Sequence, residues 1–203
     1  MQEKVLVVPR KILFKKTYFE KDFLPVDKFN FLPIIRKNAF FAERNEALET
    51  NFDLKQIIAY QVFKIGNKIF VYRRISTGME QRYFGKYSVG IGGHINPEDI
   101  QDAIEDSRQR EFIEEVDYKG KMEAKILGFI NDDTDEISKF HLGVVYILTG
   151  DSEDLVIREK DKMSGGLMTF DEAEKLSSQM ESWSKIVYDY LNSNRKYFAP
   201  AGI

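Results

Sequence analysis

Three glutamates near the middle of the chain are the residues best placed to do chemistry. Glu111, Glu114 and Glu115 share one side of a helix, within an arc of roughly 80–100° at 100° per residue. Like charges three and four residues apart repel, and burial raises the cost of that repulsion. A hard divalent cation such as Mg²⁺ relieves it, because such ions take oxygen ligands and retain waters and substrate phosphates. The spacing therefore indicates a metal site.

A solvated helix face is the plainer interpretation of a Glu-Glu pair. In that interpretation Phe112 and Val116 define the buried side, and the glutamates lie in water. The surrounding sequence favours the metal site instead. Gly92 and Gly93 form a glycine loop, a helix start follows, and the run Arg-Glu-x-x-Glu-Glu begins at Arg110 near the end of that helix.

The composition excludes several other kinds of site. The chain has 203 residues, a net charge of −3 and no Cys, so disulfides, thiolate metal sites and thiol nucleophiles are excluded. Its two histidines, His94 and His141, cannot build an all-histidine metal site, and we expect both to be structural or solvent-facing. The near-neutral charge predicts neither nucleic acid nor membrane as a partner. With no signal peptide and no apolar run of about 18 residues, we expect a cytoplasmic protein.

The elements that must position the glutamates alternate between strand and helix. The sequence predicts a first strand at 5–14, which Pro9 either places at a sheet edge or breaks. In chain order there follow a hairpin of strands at 57–64 and 68–74 around Gly66-Asn67, a strand at 87–91, a helix at about 99–116, strands at 125–130 and 141–148, and a C-terminal helix from about Asp171 to Leu191. Asp171 and Glu174 have capping-box spacing at the start of that last helix. An α/β fold with a mixed β-sheet between helices is the architecture that this order predicts.

Residues 1–52 differ from the rest of the chain. They are aromatic-rich and have no clear period, so they cannot form a core of their own. We expect an N-terminal extension at 1–52 packed on a main domain at 53–203. The aromatics either complete a homodimer, with Phe40 or Phe41 near the cleft, or cover a sheet edge of the same chain, and we favour the homodimer.

The segment Gly93–Tyr118 closely resembles the Nudix box. That pattern runs Gly, five residues, Glu, seven residues, Arg-Glu-aliphatic-x-Glu-Glu-x-Gly-aliphatic. Here Asp99 stands at the first acidic position, and ten residues separate it from Arg110, which is an insertion of three. Phe112 replaces the aliphatic residue, and Asp117 replaces the last glycine.

These departures leave the three glutamates of the cluster, Glu111, Glu114 and Glu115, in place. Three residues are almost one helical turn, so the insertion does not rotate Glu111 far. Asp117 stands where the family has a glycine in a left-handed capping conformation, which Asp is among the few residues to tolerate. Asp99 is one carbon shorter than Glu, which only shortens a structural contact.

The resemblance implies a Nudix-like α/β/α sandwich and metal-dependent hydrolysis. The substrate would be a small molecule with a diphosphate linkage, a nucleoside diphosphate derivative or a related compound, and the cofactor Mg²⁺ or Mn²⁺. By position in the box, Glu111 and Glu115 are the principal metal ligands. Glu114 completes the set directly or through water, and the carbonyl of Gly93 is an additional ligand.

The resemblance leaves the general base open between Glu111 and a carboxylate in a later loop. Glu159, in a charged run after the last predicted strand, is the candidate for the second, although a solvated turn is the plainer interpretation of that run. Arg110 is expected to hold the loop by ion pairing. Arg73 and Arg74 end a strand, where they either reach phosphate or are ordinary edge charges.

Two other functions are compatible with the same fold. The first is a Nudix-fold module that senses a nucleotide or sugar ligand without cleaving it. Such modules typically lose box glutamates, and this chain keeps all three, which favours the enzyme. The second is another metal-assisted reaction on a diphosphate substrate, such as isomerisation.

Overall fold

The computed structural model describes residues 2–75, 83–99 and 102–195. The strands are β1 (Lys4–Pro9), β2 (Lys21–Pro25), β3 (Phe40–Glu43), β4 (Leu54–Ile65), β5 (Lys68–Arg74), β6 (Tyr87–Ser88), β7 (Gly90–His94), β8 (Val116–Tyr118), β9 (Met122–Asp132), β10 (His141–Gly150), β11 (Leu155–Ile157) and β12 (Met163–Thr169). The helices are α1 (Arg10–Leu13), α2 (Leu32–Asn38), α3 (Glu46–Glu49), α4 (Ala103–Glu115), α5 (Phe170–Glu174) and α6 (Ser182–Ser193).

Ten of these strands belong to one large mixed sheet, which confirms the predicted α/β class. The main hydrogen-bonded path runs β12-β5-β4-β10-β9-β2. Off this path, β1 pairs with β3 and β4, β6 pairs with β5, and β7 pairs with β4. The short strands β8 and β11 pair separately. Over the residues described here, no helix has the length and apolar character needed to cross a membrane.

The chain divides into two compact units, and five of the described elements contribute residues to both: β4, β7, β9, β10 and α4. The first unit consists of Met1–Tyr60, Gly92–Arg110 and Ile126–Tyr146, and the second of Gln61–Ile91, Glu111–Lys125 and Ile147–Ile203. The predicted extension at 1–52 lies wholly within the first unit. Its separation from a main domain at 53–203 stays a prediction.

The N-terminal residues of the first unit are more regular than the sequence predicts. The strand predicted at 5–14 ends at Pro9, which has no N–H to continue the ladder, and α1 follows. β1 pairs antiparallel with β4, and β2 pairs antiparallel with β9. The expectation of an irregular segment is therefore wrong. Elements of four to seven residues, as in β2, α2, β3 and α3, are too short to show a period in the sequence.

Phe31 lies at the centre of the N-terminal aromatic cluster. It is fully buried, and four other phenylalanine rings have centroids 4.7–6.0 Å from its own: Phe14, Phe19, Phe29 and Phe129. The tilted and edge-on arrangements are those that aromatic quadrupoles favour. Part of the aromatic surface of residues 1–52 is thus buried within this chain.

A buried lysine ties the strands of the first unit together. The side chain of Lys55 is 0% exposed, and its Nζ lies 2.6–3.0 Å from four oxygens: Oδ1 of Asn131, Oδ1 of Asp133 and the carbonyls of Lys139 and His141. Burial lowers the pKa of Lys55 to about 8, although the Asp133 carboxylate opposes that shift. A cation buried this deeply requires such partners, because an unpaired one would cost several kcal/mol.

Asp133 joins this lysine to the N-terminal helix. Its carboxylate accepts hydrogen bonds from Arg10 and from the hydroxyl of Tyr18, in addition to Lys55. Burial acts to raise the pKa of Asp133, but the hydrogen bonds from Arg10 and Lys55 outweigh it and hold the value at about 2. α1 is thereby fixed to the residues that follow β9.

The hairpin predicted around Gly66-Asn67 is confirmed in the second unit. β4 ends at Ile65 and β5 begins at Lys68, with the register Ile65↔Lys68. Gly66 has a φ of 52°, in the left-handed region that glycine enters without a steric penalty. The turn brings β5 back beside β4.

β12 is a strand that the sequence analysis missed, together with β11. It pairs with β5 along its whole length, from Met163↔Arg74 to Thr169↔Lys68. The strand contains two glycines, so it lacks the apolar run typical of a strand. At Gly165 a Cβ would lie 2.2 Å from the carbonyl oxygen of Val71, so the close approach of the two strands requires glycine there.

The single C-terminal helix predicted from Asp171 is wrong. α5 ends at Glu174, and Met180 is extended, with a ψ of 151°, before α6 begins. The predicted cap is also displaced. Thr169 accepts a hydrogen bond from the backbone N–H of Glu172, whose carboxylate accepts from Thr169 in return, and this is the capping box that is present.

Candidate functional site

α4 carries the three glutamates but begins later than the sequence predicts. Asp99 precedes it in a turn, where its Oδ2 accepts from the backbone N–H of Asn96 at 2.8 Å. A side chain bonded to the backbone in this way competes with helix formation. Residues 100–101 of the predicted helix lie outside the described residues.

The buried side of α4 carries both apolar residues, Ile104 and Phe112, and polar ones, Ser107 and Arg108. Phe112 and, in the next strand, Val116 are both buried, as the plainer interpretation of this segment expected. Glu111 and Glu115 are nevertheless half-buried, and only Glu114 is exposed. The glutamates thus flank the buried side instead of extending it, and they are not equivalent to one another.

Glu115 is the member of the trio with a buried oxygen. Its Oε2 is buried and, within the part of the chain described, has no hydrogen-bond partner. Burial raises the pKa of Glu115 to about 8; Arg74 lowers it, and Glu111 and Glu159 raise it further. A carboxylate in this position is unfavourable unless a proton or a cation satisfies it.

This oxygen is the observation that fits a divalent cation. Mg²⁺ and Mn²⁺ bind oxygen ligands, and Mg²⁺ is commonly held by one or two carboxylates while waters and phosphates complete its coordination. Across residues 2–75, 83–99 and 102–195, no three or more Asp, Glu or His side chains stand close enough to hold a metal ion together. The residues present fit a site with two protein carboxylates, Glu111 and Glu115. The roles of Glu111, Glu114 and Glu115 as metal ligands stay predictions.

Glu159 lies between β11 and β12, so the strand predicted at 141–148 is not the last one. Its carboxylate accepts a hydrogen bond from Nζ of Lys162 at 2.5 Å. It lies close enough to Glu115 to raise the pKa of that group, and Lys162 lies close enough to lower it. Glu159 thus belongs to the electrostatic surroundings of Glu115, which is the neighbourhood that a general base would need.

Arg110 contacts the loop that precedes α4. Its Nε lies 3.3 Å from Oδ1 of the buried Asp99. Its Nη2 donates to the carbonyl of His94 at 3.1 Å and has longer contacts with Asn96 and Ser107. The ion pair expected from the sequence is present, and it holds the loop against the helix.

The Gly92-Gly93 pair is part of β7 and not of a loop, which corrects the sequence-based expectation. At Gly92 a Cβ would lie 2.3 Å from the carbonyl oxygen of Ala59, so glycine allows β7 to approach β4 closely. Gly93 is half-buried in the same strand. Its carbonyl as a metal ligand stays a prediction.

Asp117 does not adopt the left-handed capping conformation expected of it. Among the described residues, none other than glycine has a positive φ. Asp117 is the middle residue of β8, which follows α4 directly, and it pairs with Val156 of β11. Its carboxylate accepts hydrogen bonds from Lys119 and Arg158. A strand pair, and not a cap, ends the helix.

The two histidines pack against each other. Their ring centroids are 5.4 Å apart. His94 bonds Gln56 at 2.8 Å, and Nδ1 of His141 donates to the carbonyl of Ile137 at 2.8 Å. Burial lowers the pKa of both rings, that of His141 to about 4, so both are neutral at pH 7. Of the two roles that we expected, structural or solvent-facing, the contacts of both histidines indicate the structural one.

Sequence analysis did not single out Glu181, which lies near the same carboxylates. Glu181 is buried immediately before α6 and accepts a hydrogen bond from Nε of Arg74 at 3.2 Å. Arg74 in turn lies close enough to Glu115 to lower its pKa. The sequence analysis predicted one continuous helix, which placed Glu181 in its interior. Recognising the break before α6 would have indicated that Glu181 lies at a helix start.

Two known proteins match this chain over more than nine-tenths of its length. No family model matches it. Protein YmaB of Bacillus subtilis (strain 168) is 29% identical over 202 residues, which covers 94% of this chain and 98% of YmaB.

Two solved structures show similarity of different strength. Tm1382, a candidate Nudix hydrolase, is 34% identical, and its match covers 93% of this chain and 98% of Tm1382 with a TM-score of 0.79. The Nudix domain of Shewanella oneidensis NrtR, complexed with ADP-ribose, is 12% identical with a TM-score of 0.55, over 71% of this chain and 89% of that domain. The second likeness shows the fold alone.

Proposed function

Because the chain belongs to the Nudix hydrolase family, we propose that it is a metal-dependent hydrolase of a diphosphate linkage. The substrate class is a nucleoside diphosphate derivative or a related small molecule. The observation that carries the proposal is the buried, unpartnered Oε2 of Glu115 beside two further carboxylates, Glu111 and Glu159. A group of this kind is stabilised by positive charge, and a divalent cation supplies it.

In this proposal Glu111 and Glu115 are the principal ligands of Mg²⁺ or Mn²⁺. Glu114 contributes through water, in keeping with its exposure. When bound, the ion neutralises charge on the diphosphate and eases the attack of water on phosphorus. Hydrolysis consumes one water and converts one P–O–P linkage into two phosphate monoesters, so no side-chain nucleophile is needed.

Glu159 is the proposed general base for the attacking water. Its carboxylate belongs to the surroundings of Glu115, and Lys162 orients it through the hydrogen bond at 2.5 Å. Glu111 is the other carboxylate able to accept the proton. A positioned base contributes about 10²–10⁴-fold to rate, so exchanging the true base for Gln lowers kcat by that factor.

Binding without hydrolysis is the second candidate function. It is favoured by one observation: within the described residues no three carboxylates or histidines are gathered to hold a metal ion. The NrtR domain bound to ADP-ribose adds a ligand to test. In this alternative the chain binds a nucleoside diphosphate derivative and releases it unchanged.

A substrate panel separates the two functions. The protein is incubated with ADP-ribose, nucleotide sugars and dinucleoside diphosphates in Mg²⁺, in Mn²⁺ or in EDTA, and the products are resolved by chromatography. We expect one class to be cleaved to two phosphate monoesters, with no cleavage in EDTA. Saturable binding of a panel member without cleavage in either metal would support the second function and contradict the first.

A further inference from the structure

Arg74 occupies the last position of β5, where its backbone is held from both sides. Its N–H donates to the carbonyl of Lys86 at 3.0 Å, and its carbonyl accepts from Gly85 at 2.8 Å. Met163 of β12 is its partner across the ladder. The direction in which this side chain leaves the sheet is therefore fixed.

The guanidinium of Arg74 lies near two tyrosine rings. Its centre is 5.5 Å from the ring centroid of Tyr72 and 5.9 Å from that of Tyr83. Both distances are within the range of cation–π attraction, which also limits the rotamers open to the side chain. The side chain is 36% exposed, so it can be reached from solvent.

Glu181 holds the same guanidinium from the start of α6. Its Oε2 accepts from Nε of Arg74 at 3.2 Å, and its side chain is 7% exposed. Its Oε1 accepts from Ser88 at 2.8 Å and from Ser184 at 3.3 Å. Its backbone N–H donates to the carbonyl of Tyr87 at 3.0 Å. This carboxylate cannot turn away from Arg74 without losing the two serine contacts.

The contact with Glu181 uses one of the five donors of a guanidinium. Within the described ranges Glu181 is the hydrogen-bond partner that the structure gives the Arg74 side chain. Arg74 also lies within electrostatic range of Glu115, as do Glu111 and Glu159. A cation fixed at its Nε edge, open to solvent and within electrostatic range of Glu115 matches a phosphate group, which a guanidinium can bind through two donors.

We propose that Arg74 binds a phosphate of the diphosphate substrate and that Glu181 is the positioning residue that holds its guanidinium. The inference rests on the proposed function, since it assigns a subsite of the same site. Glu181 acts through Arg74 and does not touch substrate. Its effect must therefore depend on Arg74 being present.

A double-mutant cycle on Arg74→Ala and Glu181→Gln tests this dependence. KM and kcat are measured on the panel member that the wild type cleaves, and the Kd of α,β-methylene ADP is measured by calorimetry in Mg²⁺. A charge-assisted hydrogen bond is worth roughly tenfold or more in affinity, so Arg74→Ala raises KM and Kd by about that factor. We expect Glu181→Gln to raise both several-fold alone and less than about twofold in the Arg74→Ala background.

Two further variants control for fold and charge. Asp189→Asn removes a carboxylate on the same helix whose partner is the exposed Lys185, and it should leave KM and Kd unchanged. Arg74→Lys keeps the positive charge but lacks the Nε–H that Glu181 holds, so its Kd should lie between those of the wild type and Arg74→Ala. If Glu181→Gln fails to fold, Arg74→Lys tests the positioning in its place, because it removes the same hydrogen bond from the arginine side.

The outcomes separate this inference from the proposed function. Equal effects of Glu181→Gln in both backgrounds, or a wild-type Kd in Arg74→Ala or Arg74→Lys, overturn the inference while hydrolysis stands. A wild type that binds α,β-methylene ADP but cleaves nothing overturns the proposed hydrolysis, and the Kd cycle then decides the inference alone. A wild type that neither binds nor cleaves overturns both.

Discussion

Two glutamates one helical turn apart, Glu111 and Glu115, have different surroundings from Glu114. Their spacing in the sequence predicts that they share a helix side, and the structure agrees. The sequence could not predict which oxygen is buried, because that depends on the strands and loops around the helix. Oε2 of Glu115 is buried without a partner, whereas Glu114 is exposed.

The role of Lys55 could not be predicted from the sequence, because its partners lie more than 70 residues away. Lys55→Met leaves the acceptors Asn131 and Asp133 without their buried donor. We expect a loss of about 3–5 kcal/mol in the free energy of unfolding, as is typical when one partner of a buried ion pair is removed. Urea denaturation measures it. Lys125→Met, which removes the partner of Glu123 in an ion pair where both side chains are 70% exposed, is the control and should cost under about 1 kcal/mol.

His141 should make the protein sensitive to acid. Burial lowers its pKa from 6.5 to about 4, so between these values the unfolded chain binds a proton that the folded chain does not. The neutral ring therefore stabilises the folded state fully above pH 6.5, and this stabilisation is lost as the pH falls through 4. The loss in the free energy of unfolding is up to roughly 3 kcal/mol. We expect the difference in unfolding free energy between wild type and His141→Asn to shrink over this range. A difference that is constant with pH would show that the ring is not buried in its neutral form.

At the scale of elements, the sequence was most informative where local signals were strong. Gly66-Asn67 stands between two apolar runs, so the β4–β5 hairpin could be predicted almost to the residue. β12 could not be predicted in this way, because two adjacent glycines are typical of a loop and because its pairing with β5 is a long-range contact. The break before α6 was also hidden, since Trp183 and Leu191 continue the helical spacing of a longer segment. Missing that break also concealed Glu181.

β12 provides a matched pair of glycine variants. A Cβ on Gly165 would lie 2.2 Å from the carbonyl oxygen of Val71, whereas a Cβ on Gly166 would meet nothing within 4 Å. We expect Gly165→Ala to force β12 away from β5 and lower the free energy of unfolding by about 2 kcal/mol or more. Gly166→Ala should change it by less than about 0.5 kcal/mol. Equal thermal denaturation midpoints for the two variants would contradict the described register.

At the scale of the whole molecule, the aromatic residues of the N-terminal segment divide into a buried group and an exposed group. Phe31 and its neighbouring rings are buried within the chain, which fits the cover of a sheet edge. Phe40 and Phe41, on β3, are 47% and 37% exposed. β3 pairs only with β1 among the described strands, so one edge of it is open. An exposed apolar edge of this kind is where we propose that a second copy binds.

The homodimer is tested with substitutions and not with deletion, because residues 1–52 contribute strands to the sheet. We expect the wild type to have the mass of a dimer by light scattering. Phe40→Glu combined with Phe41→Glu should give a folded monomer, because two charges would be buried unpaired in the interface. Phe84→Glu is the control. Phe84 is 53% exposed and lies outside β3, so this substitution should leave the dimer intact. A wild type that is already monomeric at high concentration contradicts the proposal.

The rate of diphosphate hydrolysis in Mg²⁺, compared between the wild type, Glu111→Gln and Glu115→Gln, tests the central claim most directly. Both variants should fold, because Gln has nearly the size of Glu and adds no charge to the acidic group, and circular dichroism checks this. Glu123→Gln, whose carboxylate is 70% exposed and pairs with Lys125, is the matched control. We expect kcat to fall at least about 10²-fold in both site variants and to be unchanged in the control. Wild-type turnover in both folded site variants would place the catalytic site elsewhere and contradict the account.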